Sequence, residues 1–259
     1  MASAIIGGLL QRGMAPGNIQ VIEPFEAQRI QLKQQFDVRP LETPGPSLAR
    51  ATLVVWAIKP QIFQEAALQA RLHTRTALHL SVAAGIRSDS IARWLDTDRV
   101  VRSMPNTPAL VGKGITALFA RPAVTPTDRT LVDHVIQTTG DYFWLDDESQ
   151  LDTVTALSGS GPAYVFYFME SMIEAGIAMG LSREQAHQLA VSTFVGASAL
   201  AQTSSETPDT LRARVTSKGG TTYAALTSLE QDKVKTLFVR AMHAARQRAR
   251  ELGDEFGSA

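Results

Sequence analysis

Short β-rich runs alternate with helical segments along the first part of the chain, and this alternation constrains the fold more than any other feature. From residue 19 to about residue 145 the β-rich runs are IQVIE, TLVVWAI, ALHLSVAA, RVVRSM, GITALFA and YFWL. Several of them are continuously apolar, which is typical of strands that are covered on both faces. The alternation therefore predicts an α/β domain built on a doubly wound sheet.

The β-rich runs stop after Asp146, and the segments that follow have the pattern of helices. From Ala163 to Met179 the sequence is apolar on most sides, so a single chain would leave much of that helix unburied. We expect two domains, residues 1–146 and residues 147–259, and we expect the long apolar helix to lie at the centre of a dimer interface.

The amino-acid composition limits the classes of partner and the cellular compartment that we expect for this protein. The 259 residues include 25 basic and 25 acidic ones, which gives no global attraction to nucleic acid or anionic lipid. The absence of cysteine excludes disulfides, a thiol nucleophile and thiolate metal sites, and the five histidines show no metal-ligand spacing. Glu170 and Glu174 interrupt the longest apolar stretch, which argues against a membrane span. We expect a cytoplasmic protein without a metal, a nucleic-acid partner or a membrane anchor.

The first segment, MASAIIGGLLQRGMAPG, has the pattern of a helix. Ile5 and Leu9 share an apolar face, and Gly13 stands where a glycine ends helices. In a dinucleotide-binding fold the first unit is a strand, a glycine-rich loop and a helix, and an acidic residue follows the second strand. Here the helix, the strand-like run IQVIE and the acidic residue Glu23 occur in that order, whereas the first strand and its glycines do not precede Met1 in the sequence as given.

Three loops that follow predicted strands have an unusual composition. AIKPQ contains Lys59 and Pro60, SVAAG contains Ala84 and Gly85, and SMPNTP contains Asn106. Ligands of open α/β sheets bind at the carboxyl ends of the strands. Small residues would let a flat ring approach the backbone, and the Asn106 carboxamide could bond a nicotinamide amide. Taken alone, each loop is more often a simple turn of the chain, and a lone lysine such as Lys59 is more often exposed to solvent than catalytic.

The stretch VTSKGGTT combines a glycine turn with the start of a predicted helix. Gly219 and Gly220 permit backbone angles that align successive N–H groups, and the helix amino terminus adds partial positive charge. Ser217, Thr221 and Thr222 add hydroxyl groups. The stretch is suited to a carboxylate or a phosphate, and the alternative is an ordinary helix start after a glycine turn.

The quoted loops, together with VTALSGSGPAYVF, occur in this order and at these separations in the pyrroline-5-carboxylate reductases, which the chain resembles from Met1 to about Leu252. The resemblance implies a Rossmann domain that binds NADPH or NADH, followed by a helical domain that interlocks into homodimers, which often assemble into decamers. It also implies that Met1 matches an internal methionine after the family's first strand and glycine loop. Lys218 replaces the proline that usually precedes the two glycines.

The resemblance implies a role for each matching position. Ser217, Gly219, Gly220 and Thr221 would hold the carboxylate of the substrate, and Thr222 would bond its ring nitrogen. The cofactor would be bound by two groups of residues, one at the ribose (Glu23) and one around the nicotinamide half (Ala57, Ile58, Lys59, Pro60, Ala84, Gly85 and Asn106). A carboxylate at the ribose repels a 2′-phosphate, so Glu23 favours tolerance of NADH.

The expected reaction is the reduction of 1-pyrroline-5-carboxylate to L-proline, the last step of proline biosynthesis. The cyclic imine is basic enough to arrive as an iminium, so no side-chain acid is required, and none is apparent in the sequence. Two alternatives stay open at this point. One is a related dehydrogenase of a small hydroxy acid. The other is a dimerising protein that no longer binds a dinucleotide because the glycine loop is missing.

Overall fold

The computed structural model describes residues 1–257, which form two compact units. An α/β unit comprises Met1–Ser160 together with the residues from Ala245 onward, and a helical unit comprises Gly161–Ala244. The division lies after Ser160 and differs from the predicted boundary between residues 146 and 147. The segment between these two boundaries belongs with the sheet because its apolar side chains Leu151 and Ala156 are buried there.

The α/β unit is built on a mixed sheet whose strands lie side by side in chain order. They are β1 (Leu53–Trp56), β2 (Leu78–Ser81), β3 (Val100–Met104), β4 (Gly114–Ala120) and β5 (Gly140–Leu145). The pairs β1–β2, β2–β3 and β4–β5 are parallel, whereas β3 and β4 are antiparallel. The connection between β3 and β4 is too short for a crossover helix, so β4 runs antiparallel to β3, whereas β4 and β5 are again parallel and are joined through a helix.

Helices cover both faces of the sheet, as the apolar strands predict. The helices of this unit are α1 (Ala2–Gln11), α2 (Glu26–Phe36), α3 (Phe63–Ala70), α4 (Ser88–Leu95), α5 (Pro126–Ile136) and α6 (Gln150–Val154). On one face Phe63 of α3 and Ile91 of α4 pack with Trp56. On the other face Leu78 and Leu80 of β2 join Val132 of α5. Both clusters are shielded from water, which makes this sheet the rigid part of the unit.

The first residues of the chain only partly match their predicted structure. Helix α1 ends at Gln11, and Gly13 follows with a φ of +90°, as predicted. IQVIE was predicted as a strand, and this prediction is wrong in extent. The segment makes a single parallel bridge between Ile22 and Leu41, because its backbone finds only that short neighbour among the described residues. A small cluster formed by Ile6, Leu32 and Val38 holds the segment against α1 and α2.

The helical unit consists of long helices and short turns. They are α7 (Gly161–Ala178), α8 (Arg183–Thr203), α9 (Pro208–Arg214), α10 (Thr221–Gln231) and α11 (Val234–Gly257), whose residues from Ala245 onward belong to the α/β unit. Among the described residues of α7 only Gly176 is buried, and Phe166 and Tyr167 are 57% and 66% exposed. The predicted apolar surface of this helix is therefore present. None of the described helices combines the length and the apolar character needed to cross a bilayer.

His79 is a buried histidine in the middle of β2, and its surroundings fix its protonation state. It is 1% exposed, its Nδ1 accepts a hydrogen bond of 3.0 Å from the indole N–H of Trp56, and its Nε2 lies 3.3 Å from the carbonyl oxygen of Thr74. The neutral ring with its proton on Nε2 satisfies both contacts. Burial, assisted by the positive charge of Arg99, lowers the pKa of His79 to about 4.

We expect this histidine to make folding stability depend on pH. Between the usual pKa of 6.5 and about 4 the unfolded chain binds a proton at His79 that the folded chain does not. The stabilisation is therefore complete above pH 6.5 and is lost as the pH falls. Lowering the pH from 7 to 4.5 should decrease the free energy of unfolding, measured with urea, by about 2 kcal/mol more in the natural chain than in His79→Gln. An equal loss in both proteins would contradict the assignment.

Candidate active site

The carboxyl ends of β1, β2 and β3 lie side by side, and the three loops of unusual composition follow them. Trp56 is paired with Ser81, and Ser81 with Arg102. The backbone N–H of Val82 continues the β1–β2 ladder to the carbonyl of Trp56 at 3.1 Å. Because the three strands are parallel, residues 57–60, 82–85 and 105–106 emerge at one edge of the sheet. The structure thus places side by side the loops that were predicted to surround a nicotinamide.

The loop after β1 exposes the side chain of Lys59 and turns at Pro60. Lys59 precedes a short 3₁₀ turn, Pro60–Ile62, and its carbonyl accepts the N–H of Ile62 at 3.2 Å. Ile58 packs against the cluster around Trp56, which fixes the path of the loop. Ala57, Ile58 and Pro60 are half-buried, so the backbone of this loop rather than its lysine is held in place. Their contact with a cofactor stays a prediction.

The loop after β2 contains a glycine whose small size serves the fold. Gly85 is buried with a φ of +78°, and a Cβ added to it would lie 3.0 Å from the Cβ of Leu252 in α11. Its missing side chain therefore lets α11 approach. We predicted that this space would admit a flat ring, but on the Cβ side of Gly85 it is filled by the protein. Ala84 is half-buried and remains the residue of this loop that a ring could meet.

Asn106, after β3, is 9% exposed and uses both ends of its carboxamide within the protein. Its Nδ2 donates to the carbonyl of Ser158 at 3.2 Å, and its Oδ1 accepts the backbone N–H of Ile115 at 3.0 Å. Asn106 therefore ties the loop to the start of β4 and to the segment after α6. One N–H of the carboxamide is not needed for these two bonds, so a bond to the nicotinamide amide stays a prediction.

The segment after α6 is a π-helical turn that sequence reasoning did not include in the site. The turn spans Thr155–Gly159, and a Cβ added to Gly159 would clash with the Cε of Met104, the last residue of β3. π-Helical turns occur frequently at functional sites. The sequence signal was the SGSG motif, in which Gly159 leaves room for the flexible side chain of Met104.

Glu23, the predicted ribose ligand, is partly engaged in the turn that leads into α2. Its Oε1 accepts the backbone N–H of Phe25 at 2.9 Å, and its carbonyl accepts a guanidinium N–H of Arg29 at 2.9 Å. The other carboxylate oxygen receives no hydrogen bond from the described residues. The guanidinium of Arg29 contacts the backbone of Glu23 and forms its ion pair with Glu42 at 3.5 Å, so Arg29 is not the ion-pair partner of the Glu23 carboxylate.

In the helical unit, residues 217–220 form a tight turn. The N–H of Gly220 donates to the carbonyl of Ser217 at 3.0 Å, and Gly219 has a φ of +75°, which L side chains rarely adopt. A Cβ added to Gly220 would lie 2.7 Å from the hydroxyl oxygen of Ser217. Gly219 is therefore required by its backbone angle, whereas a side chain at Gly220 would require the Ser217 hydroxyl to move. Lys218 occupies the second position of the turn, where proline is common, and the turn forms with the lysine in place.

The turn leads into the amino terminus of α10, which no side chain of the described residues caps. The backbone N–H groups of Thr221, Thr222 and Tyr223 donate to no acceptor within residues 1–257, and the hydroxyl groups of Ser217, Thr221 and Thr222 form no hydrogen bond there. Such N–H groups, aligned with the helix dipole, bind a carboxylate or a phosphate. The structure thus brings together the residues that were predicted to hold an anion.

Comparison with known proteins assigns the family. Residues 148–252 match the family model described as pyrroline-5-carboxylate reductase dimerisation. The pyrroline-5-carboxylate reductase of Pseudomonas aeruginosa is 40% identical over 260 residues, which covers 99% of this chain and 95% of that protein. The chain belongs to the pyrroline-5-carboxylate reductase family. It is an oxidoreductase of proline biosynthesis that reduces 1-pyrroline-5-carboxylate, and the comparisons do not favour the hydroxy-acid dehydrogenase or a non-enzymatic protein.

Solved structures of pyrroline-5-carboxylate reductases share the fold. The enzyme of Coxiella burnetii superposes with a TM-score of 0.89 at 34% identity, covering 97% of this chain and 94% of that one. The enzyme of Plasmodium falciparum, solved with NADP bound, superposes with a TM-score of 0.84 at 28% identity, covering 98% of this chain and 96% of that one. A Rossmann-like α/β domain and a helical domain, both predicted from the sequence, are thereby confirmed.

We expect the left-handed backbone at Gly219 to matter for substrate binding and not only for stability. Gly219→Ala places a side chain at a φ of +75°, which costs about 1–2 kcal/mol and would loosen the turn. Gly180→Ala is the matched control, because Gly180 has a φ of +100° in the turn between α7 and α8. Thermal unfolding should show similar losses for both, whereas steady-state kinetics should show a raised KM for 1-pyrroline-5-carboxylate only in Gly219→Ala. Equal KM values would contradict this role of the turn.

Proposed function

We propose that this reductase transfers a hydride from C4 of NADPH or NADH to the C=N carbon of 1-pyrroline-5-carboxylate, and that α10 binds the substrate carboxylate. The observation that carries the proposal is the uncapped amino terminus of α10 behind the glycine turn. Three N–H groups without a protein acceptor are costly unless water or a ligand satisfies them. The substrate of this family carries a carboxylate, which can accept hydrogen bonds from these N–H groups.

The carboxylate is held by Ser217, Gly219, Gly220 and Thr221, together with the free N–H groups of the first turn. Hydrogen bonds to a charged acceptor are about twice as strong as neutral ones, so this contact fixes the substrate firmly. Lys218 adds a positive charge next to the glycines. The five-membered ring then extends from the helix end, and its nitrogen lies within reach of the hydroxyl of Thr222.

Catalysis in this proposal is chiefly positioning. The imine is basic enough to bind as an iminium, so hydride transfer requires no side-chain acid. The nicotinamide supplies the hydride when the cofactor is bound, and the protein places the C=N carbon next to it. Thr222 bonds the ring nitrogen, which is positively charged before the transfer and an amine after it. Residues 219–224 contain no carboxylate, histidine or lysine, in keeping with this mechanism.

The cofactor is held by the sheet-edge loops and by Glu23. Ala57, Ile58, Lys59, Pro60, Ala84, Gly85 and Asn106 surround the nicotinamide half, and the free oxygen of Glu23 bonds a ribose hydroxyl. The NADP-bound relative supports a dinucleotide site in this fold. A carboxylate at the ribose favours acceptance of NADH, because it repels a 2′-phosphate.

The enzyme works as a homodimer in this proposal, and assembly of the dimers into decamers uses surfaces other than that of α7. The exposed apolar side chains of α7 are the surface on which a second copy packs, because they are too extensive for a monomer to leave in water. The match to a dimerisation family model supports this assignment. The balanced charge and the absence of cysteine support action in the cytoplasm without nucleic acid or membrane partners.

The test of the proposal is Thr222→Val, which keeps the side-chain shape and removes the hydroxyl. We expect a loss of about 1–3 kcal/mol in transition-state stabilisation, a 5- to 150-fold fall in kcat/KM, because the ring nitrogen loses its partner. Thr222→Ser, which restores the hydroxyl, should recover most of the activity. Oxidation of NADPH and NADH by 1-pyrroline-5-carboxylate is followed by absorbance. Unchanged kcat and KM in the valine variant would refute the role of Thr222, and no oxidation by the natural chain would refute the proposed function.

A further inference from the structure

The loop after β2 (residues 82–87) is packed backbone to backbone against the end of α11 (residues 252–257). Gly85 and Gly253 are both buried and face each other. A Cβ on Gly253 would lie 3.4 Å from the carbonyl oxygen of Gly85 and 3.3 Å from Nε of Arg87, and a Cβ on Gly85 would lie 3.0 Å from Leu252. A side chain on Gly85 would be strained by its positive φ and would press on Leu252, whereas an alanine at Gly253 would need only a small shift of Arg87 and a larger side chain there would press on the loop.

Polar contacts fasten the same helix end to the start of α4. The guanidinium of Arg87 forms an ion pair with Asp254. The hydroxyl of Ser90 and the guanidinium of Arg93 donate to the carbonyl of Gly257 at 3.3 and 3.2 Å. A cation near the carboxyl end of a helix also interacts favourably with the helix dipole. The end of α11 is therefore bound to the residues that directly follow the loop.

Glu148 also holds the carboxyl-terminal end of the loop. One of its carboxylate oxygens accepts the backbone N–H of Ser88 at 2.7 Å, and the other accepts the hydroxyl of Ser88 at 2.6 Å. Arg102 of β3 pairs with Glu148 at 2.6 Å, which ties this anchor to the sheet. Between the end of β2 and Ser88 the loop thus has little freedom, and what remains is limited by its contact with α11.

We propose that the end of α11 is a positioning element for the nicotinamide loop, with Gly253 and Asp254 as its decisive residues. The inference rests on the proposed function, in which Ala84 and Gly85 lie against the nicotinamide. These two residues of α11 touch neither substrate nor cofactor and act through the backbone of Gly85. A misplacement of about 1 Å near reacting groups can cost about a hundredfold in rate, so a small shift of this loop has a measurable effect.

The test compares substitutions at two positions of the contact, Gly253 and Asp254, with a control substitution at the neighbouring residue. Gly253→Val pushes the helix away from the loop, and Gly253→Ala does so less, so the two form a graded series. Asp254→Asn removes the charge that pairs with Arg87. Glu255→Gln removes a charge from the neighbouring residue, which pairs with Arg248 within the same helix, and serves as the control. Dinucleotide affinity is measured by fluorescence titration, and KM is measured for each substrate well below the thermal midpoint.

We expect Gly253→Val to weaken NADPH binding and to raise the KM for NADPH about tenfold. Asp254→Asn should raise this KM about threefold. The KM of Gly253→Ala for NADPH should lie between those of the control and the valine variant. The KM for 1-pyrroline-5-carboxylate should change less than about twofold in each variant, because α10 and not this loop binds the substrate carboxylate. A loss of stability alone would change both KM values alike. Cofactor affinity equal to that of Glu255→Gln in all variants, or equal changes in both KM values, would overturn the inference while leaving the proposed function intact. If the valine variant does not fold, the alanine and asparagine variants decide the same question.

Discussion

The register of the three parallel strands is the constraint on which the rest of the α/β unit depends. Pairing Trp56 with Ser81 and Ser81 with Arg102 brings three separate loops to one edge of the sheet. A slip of one residue would turn every side chain to the opposite face and disrupt the packing of both clusters that cover the sheet. The buried bond between Trp56 and His79 holds two of these strands together at a position where a charged ring would be unfavourable.

The proposed cofactor-binding residues and the proposed substrate-binding residues are held in different ways. In the α/β unit, buried anchors fix backbone loops: the carboxamide of Asn106 bonds two backbone groups, and Gly85 lies against α11. In the helical unit, a glycine turn leaves a helix end without a cap, and the local charge is positive because backbone dipoles align there. The first arrangement suits the flat, neutral ring of the proposed nicotinamide, and the second suits the carboxylate of the proposed substrate.

The sequence was sufficient to predict the fold class, the positions of most strands and helices, and the glycine turn before α10, since periodicity and glycine chemistry are local properties. It could not show that β4 runs antiparallel to β3 or that residues 147–160 belong with the sheet, because both depend on long-range packing. The role of Gly85 was hidden for the same reason: its neighbour Leu252 is far away in the sequence. IQVIE has strong strand propensity, but a strand also requires partners, and it found one only at Leu41.

The central claim is that the amino terminus of α10 recognises the substrate through its carboxylate. The most direct measurement compares kcat/KM for 1-pyrroline-5-carboxylate with kcat/KM for 1-pyrroline, the same cyclic imine without the carboxylate, at saturating NADPH. Losing the charge-assisted hydrogen bonds at the helix end should lower kcat/KM by about a hundredfold or more. Values within about threefold of each other would contradict the claim, because they would mean that binding the carboxylate contributes less than about 1 kcal/mol to the transition state.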